Sequence, residues 1–303
     1  MATFRWHVEF LLPGLPLAQP LTLDTIHVVP SPRGENGRSQ SIGHLTFETE
    51  HYLFDSAARA KAVSQLEPVA VAAAALGGSV GEPVVTSVSL ENRDTLEASG
   101  VPIPFEGHLT FQFDVLAADI DGTALTKGYR AALTLGPQEA PLWHRAARWL
   151  WKANSEANPY DQFLALWIAF NALYGPKKTD GEPSAIRDYL ADAIPKESDA
   201  QKLLTGLLVE DLQLLGASGL RLRRDRSWQV ADELQAVLGL PETKRSPRQV
   251  VTLACLVIYA VRCAIVHEGG FELPRDKEMH LVWASGRVLK AALMLVFKSR
   301  LGL

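Results

Sequence analysis

Val250-Val-Thr-Leu-Ala-Cys-Leu-Val-Ile-Tyr-Ala-Val-Arg-Cys-Ala-Ile-Val-His-Glu-Gly-Gly270 is the stretch that decides the fold of the second half of the chain. From Val250 to Val261 it is apolar on every face except at Thr252. A helix without a polar stripe belongs in an interior, so a buried helix is predicted over 248–267. Ser246-Pro247 supplies an N-cap and a first helical residue. Arg262 then stands at the end of an apolar rod, where a cation needs a reason. One reason is local: a cation in the last turn suits the helix dipole, and Gly269-Gly270 is a ready C-cap. The other is chemical. A guanidinium is a planar fork of donors for phosphate oxygens, and an imidazole such as that of His267 exchanges protons near neutrality.

Outward from this helix the pattern stays helical. Segments at about 142–156, 160–174, 184–193, 197–215, 227–238 and 277–300 carry the period of helices, with boundaries good to roughly 2–4 residues. Pro159 separates the first two, and Asp276 is placed to cap the last. Toward the N-terminus the period changes. Phe4–Phe10, Leu109–Val115 and Tyr129–Leu135 alternate apolar with polar residues and read as half-buried strands. The alanine-rich stretch Ala57–Leu76 reads as one or two helices on the sheet, with Pro68 either breaking it or lying near a helix start. Ser31–Ser39 is polar, full of turn formers, and reads as a loop. Gly136-Pro137 and Pro141 bracket the change, and six of the seven tryptophans lie beyond it. The fold class expected is therefore α+β in two domains: a strand-rich mixed α/β domain over 1–137 and an all-α helical bundle over 141–303.

Composition narrows the function. The chain has 303 residues, 47% of them hydrophobic, enough for one large or two ordinary cores. Cys255 and Cys263 are its only cysteines, and eight residues apart on one rod they cannot bridge, which suits a reducing cytoplasm. No signal-like core opens the chain, and its longest apolar run falls short of the roughly 20 residues of a spanning helix, so no membrane insertion is expected. The net charge is −4, but it is unevenly divided. Residues 1–140 hold 8 Lys+Arg against 16 Asp+Glu, while residues 141–303 hold 22 against 18. The basic excess lies in the half that carries Arg262 and His267, which favours a polyanionic partner there.

Arg262-x-x-x-x-His267 at the end of an apolar helix, followed by Glu-Gly-Gly, resembles the signature of HEPN domains, the helical ribonuclease modules of RNA-processing and antiphage proteins. Asp161-Gln-Phe-Leu-Ala-Leu-Trp-Ile-Ala-Phe-Asn-Ala-Leu-Tyr-Gly175 resembles the early core helix of the Apea-like branch of that family. The resemblance spans about 141–303 and leaves residues 1–137 unplaced. It implies an HEPN-like bundle, RNA as partner, and a homodimer paired through the motif helix. It also implies metal-independent, cofactor-free endoribonuclease activity, in which the ribose 2′-hydroxyl attacks the adjacent phosphate and leaves 2′,3′-cyclic phosphate ends. A prokaryotic antiphage or toxin setting follows from the same resemblance.

In that reading His267 is the general acid or base and Arg262 holds the phosphate. On a regular α-helix the two point about 140° apart, at 100° per residue. They meet only if the helix ends near Val266 so that His267 swings round, or if two copies share the site. Cys263 stands where many active family members carry a polar residue, often asparagine, and a thiol is a weak hydrogen-bonding partner. Asn171 is the candidate to support Arg262, or else simply caps the helix ending at Gly175. Trp167, Phe163 and Phe170 have core spacing. Arg221, Arg223, Arg224 and Arg226 form the densest basic stretch, either an RNA-backbone contact with Trp228 as a stacking group or a solvated loop. No cluster has metal-ligand spacing, and Gly77-Gly-Ser-Val-Gly81 lacks the lysine of a phosphate loop. The alternative function is a catalytically inactive dimerisation or RNA/nucleotide-binding module within a larger defence complex. The acidic first half is then a sensor, a gate, or a surface for a protein partner or inhibitor.

Overall fold

The computed structural model describes residues 3–31, 39–77, 80–91, 120–175, 181–194, 208–222, 228–268 and 275–303. It is α+β: an N-terminal antiparallel sheet followed by a helical region. The strands are β1 (Phe4–Pro13), β2 (Leu21–Leu23), β3 (Ile26–Ser31), β4 (Gln40–Thr49) and β5 (Val84–Leu90), in the order β2-β3-β4-β1-β5. Alternation along β1 sends Trp6, Val8, Phe10 and Leu12 inward, as the period of two requires. The register pairs Phe10 with Gly43. A Cβ at Gly43 would stand 2.4 Å from Phe10 Cζ and 2.5 Å from the His27 carbonyl oxygen, so this position needs glycine. The expected strand at 109–115 and the centre of the loop at 31–39 lie outside the described residues.

Helix α1 (Asp55–Ala75) covers the inner face of the sheet. Pro68 sits inside it without ending it, contrary to expectation. Residues 66–73 are buried all round, and that burial outweighs the backbone hydrogen bond a proline removes. A second departure is α2 (Gly122–Leu133), which takes in most of the segment read as a strand over 129–135. Leu125, Tyr129 and Ala132 are buried at i, i+4 and i+7, and the Asp121 side chain accepts from the N–H groups of Thr123 and Ala124 at 3.1 and 3.3 Å. The cap and the helical spacing together win over a short alternation.

The remaining helices are α3 (Ala140–Ser155), α4 (Pro159–Tyr174), α5 (Glu182–Ala193), α6 (Val209–Gly216), α7 (Val230–Leu238), α8 (Pro247–Cys263) and α9 (Arg275–Leu301). They follow the predicted segments closely. Of the segment at 197–215 only α6 falls among the described residues. Helix α9 starts at Arg275, so Asp276 lies inside it rather than before it. Helix α8 runs through the middle of the bundle against α5, α6, α7 and α9. Pro247–His267 and Lys277–Leu301 are both long and apolar enough to cross a membrane, because the helix continues past Arg262. Their apolar windows are 61% and 83% buried inside the protein, where they serve as its core.

The change of composition at 136–141 does not interrupt the interior. Helix α1 packs on α3 and α9 as well as on the sheet, and one hydrophobic cluster runs from Trp6 to Phe297. A helix rich in alanine, whose small side chains let neighbours come close along much of its length, can be approached on both sides.

Candidate functional site

Helix α8 is built to deliver its last turn to the surface. Ser246 accepts from the Gln249 N–H at 3.4 Å, Pro247 fixes the first φ, and residues from Val250 to Val261 fill the core. Beyond Cys263 the helix widens: Ala264–Glu268 form a π-turn. In a π-turn the repeat lengthens to i→i+5, so a residue five places on returns to the same face. Arg262 and His267 are thereby brought together, with Arg262 Nη1 at 3.1 Å from His267 Nε2. Neither a helix end at Val266 nor a second copy is needed for the pair to meet. An arginine only donates, so a hydrogen bond in this contact has His267 Nε2 as its acceptor. His267 is exposed and Arg262 half-buried.

Behind the pair stands an aromatic wall. The Trp167 and Tyr259 rings lie 5.9 Å apart, and Phe170 and Tyr174 5.0 Å apart. Trp167, Phe163 and Phe170 are buried core residues, as their spacing predicts. The Tyr174 hydroxyl donates to Glu182 Oε1 at 2.6 Å, linking the end of α4 to the start of α5. Burial, then that bond, holds the Tyr174 phenol far above its ordinary range, while the nearby Arg262 pulls the other way. Tyr259 is raised in the same manner, first by burial and then by a hydrogen bond shared with Cys263. Both phenols therefore stay neutral, and the charges that act on them are those of Glu182, which raises their pKa, and Arg262, which lowers it. Cys263 is half-buried, free, and engaged by Tyr259 one turn earlier. Cys255, fully buried, has its thiol pushed up to about 12 by desolvation.

Asn171 is not drawn into this cluster. Its side chain is exposed and lies against Gly175, whose N–H bonds the Asn171 carbonyl, and no hydrogen bond joins it to Arg262. The helix-end reading of Asn171 fits this geometry. Arg221 is exposed at the edge of a short bridge in which Leu222 and Trp228 exchange two backbone hydrogen bonds, of 2.8 and 3.1 Å. Arg223, Arg224 and Arg226 lie outside the described residues. Trp228 Nε1 donates to Glu233 at 2.7 Å, and the Arg187 guanidinium lies 5.1 Å from the ring centroid.

Tyr259 and Glu182 are members of the cluster that sequence reasoning missed. Tyr259 precedes Cys263 by four residues on one helix, a spacing that places them on one face and was a usable signal. Glu182 had none, since only the packing of α4 beside α5 brings it to Tyr174. Among the described residues no three His, Cys, Asp or Glu side chains converge as metal ligands do. Comparison with protein-family models, with curated proteins and with solved structures gives no match for this chain.

Proposed function

We propose that the protein is an endoribonuclease of the HEPN type, acting without a metal at Arg262 and His267. The observation that carries this reading is the 3.1 Å contact between an arginine and an imidazole at an accessible helix end, with no carboxylate among the described residues bonded to either. A phosphodiester entering here takes the place of His267 as partner of the Arg262 fork. The freed Nε2 then accepts the proton of the ribose 2′-hydroxyl as its oxygen bonds to phosphorus. The P–O5′ bond breaks, the 5′-oxygen takes up a proton, and a 2′,3′-cyclic phosphate remains. Arg262 stabilises the charge that gathers on the phosphate oxygens. The nucleophile belongs to the RNA, so the protein has only to position, to bind charge and to move protons.

The family resemblance adds pairing of two copies through the motif helix. Val266, 46% exposed beside His267, is an apolar contact available to such an isologous interface. A basic excess in residues 141–303 suits the RNA backbone. The setting proposed is prokaryotic antiphage defence or a toxin system, inside the cell.

One observation favours the inactive RNA-binding module instead. The Cys263 thiol, next to Arg262 in the chain, is engaged by Tyr259 rather than left open to a substrate. Cleavage of total bacterial RNA in EDTA by the wild type, Arg262→Ala and His267→Ala separates the two. Cyclic phosphate ends from the wild type alone support the nuclease. An RNA-binding dimer that leaves every RNA intact supports the module, and equal cutting by the variants refutes the assignment of Arg262 and His267.

A further inference from the structure

We propose that Arg187, laid on the ring of Trp228, is a second phosphate-binding point for the RNA strand. This rests on the ribonuclease reading of Arg262 and His267 and extends it to the path of the substrate. Helix α5 ties the two places together. Its first residue, Glu182, holds Tyr174, which lies within the electrostatic reach of Arg262. Arg187 follows five residues later on the exposed side of α5, about 7.5 Å along the axis at 1.5 Å per residue. The path proposed is a strand whose scissile phosphate rests on Arg262 and which then runs along α5 and round to the exposed side that carries Arg187.

The local chemistry suits a phosphate. A guanidinium 5.1 Å from an indole centroid is attracted by the ring face while its planar fork of N–H donors remains suited to a phosphate. The platform is itself fixed from three sides: Trp228 Nε1 is bonded to Glu233, its backbone is paired with Leu222, and its carbonyl also accepts from the Val230 N–H. Among the described residues Arg187 pairs with no carboxylate, in contrast to Arg59, Arg148, Arg287 and Arg300, each of which does. Arg221, exposed next to the bridge, adds positive charge on the same edge. An oriented cation whose only described partner is a π face is ready for an external anion.

The test is binding of a fluorescein-labelled oligouridylate to His267→Ala and to His267→Ala/Arg187→Ala, titrated over a range of KCl. Loss of one phosphate contact on a single strand lowers the slope of log K against log [salt] by about 0.7, and several-fold weaker binding should accompany it. His267→Ala/Arg187→Lys keeps the charge but loses the planar fork, and should recover only part of the affinity. If the Arg187→Ala background binds with unchanged affinity and slope, or if the oligouridylate does not bind at all, the proposal is overturned. If binding depends on Arg187 while wild-type protein cuts no RNA, the phosphate point stands and the nuclease reading falls.

Discussion

Two of the places where an arginine meets a histidine among the described residues are opposites. Between α1 and α3, His144 Nδ1 and Arg148 Nε both reach Glu67, at 2.9 and 2.8 Å, and Glu67 is 7% exposed. At the end of α8, Arg262 and His267 reach each other, and no described carboxylate is bonded to them. In the first arrangement a buried acid neutralises the cation and fixes the imidazole, and the other ring nitrogen, His144 Nε2, is buried away from any ligand. The second is open, because its arginine retains donors and its histidine faces solvent. Residue types alone do not mark a reactive site. What matters is whether a carboxylate has already consumed the charge.

The sharpest way to break this contrast is to remove each half and measure both rate and stability. Arg262→Ala and His267→Ala should each lower RNA cleavage by about 10²–10⁴-fold. Their stability to urea should stay within roughly 0.5 kcal/mol of wild type, since neither is buried in the core. A large loss of stability with little loss of cleavage would reverse the comparison. Glu67→Ala should show the converse pattern. Uncoupling a buried carboxylate from two partners costs more than a surface pair and less than a wholly buried one, about 2–3 kcal/mol, because the Arg148 side chain is 58% exposed. Urea midpoints measure this, and RNA cleavage per folded molecule should be unchanged.

Two smaller effects sharpen the role of α8. Ser246→Ala removes the N-cap at the end far from the site and should cost about 1 kcal/mol, read as a lower melting temperature. An equal loss of cleavage by folded protein would mean that the helix start, too, shapes the site. Thiol labelling at pH 8 compares the two cysteines of the same helix. Cys255, whose pKa burial raises to about 12, holds its proton at that pH and should label only on unfolding, whereas half-buried Cys263 should label in the native state. Mass spectrometry of the alkylated peptides decides it, and rapid native labelling of Cys255 would contradict the buried position of α8.

The helical half was largely legible. Apolar residues at helical spacing, Ser246-Pro247 and Pro159 place α3, α4, α5, α7 and α8 within a few residues, because local caps and periodicity act within a turn or two. The misses have the opposite character. Tyr129 reads as part of a strand because seven residues of loose alternation look alike in either state, and the deciding partner, Asp121, lies eight residues upstream. Pro68 reads as a break or a helix start because the compensation comes from helices distant in sequence. Arg262 and His267 were legible as a pair by type and spacing, yet a regular helix sets them 140° apart. Asn171 looked suited to Arg262 because both sit on apolar helices, but its direction depends on how α4 is rotated in the bundle.

By itself, the sequence determined an α+β chain with a strand-bearing acidic first part, a helical second part, and α8 as its buried axis, since hydrophobic period and capping are local properties. Only the tertiary structure decided that α1 joins the two parts into one core, that a π-turn turns Arg262 and His267 onto one face, and that Glu67 meets both His144 and Arg148. Each of these depends on which surfaces meet, and a backbone widened by one residue per turn or a carboxylate buried from two sides is stable only against the neighbours that packing supplies.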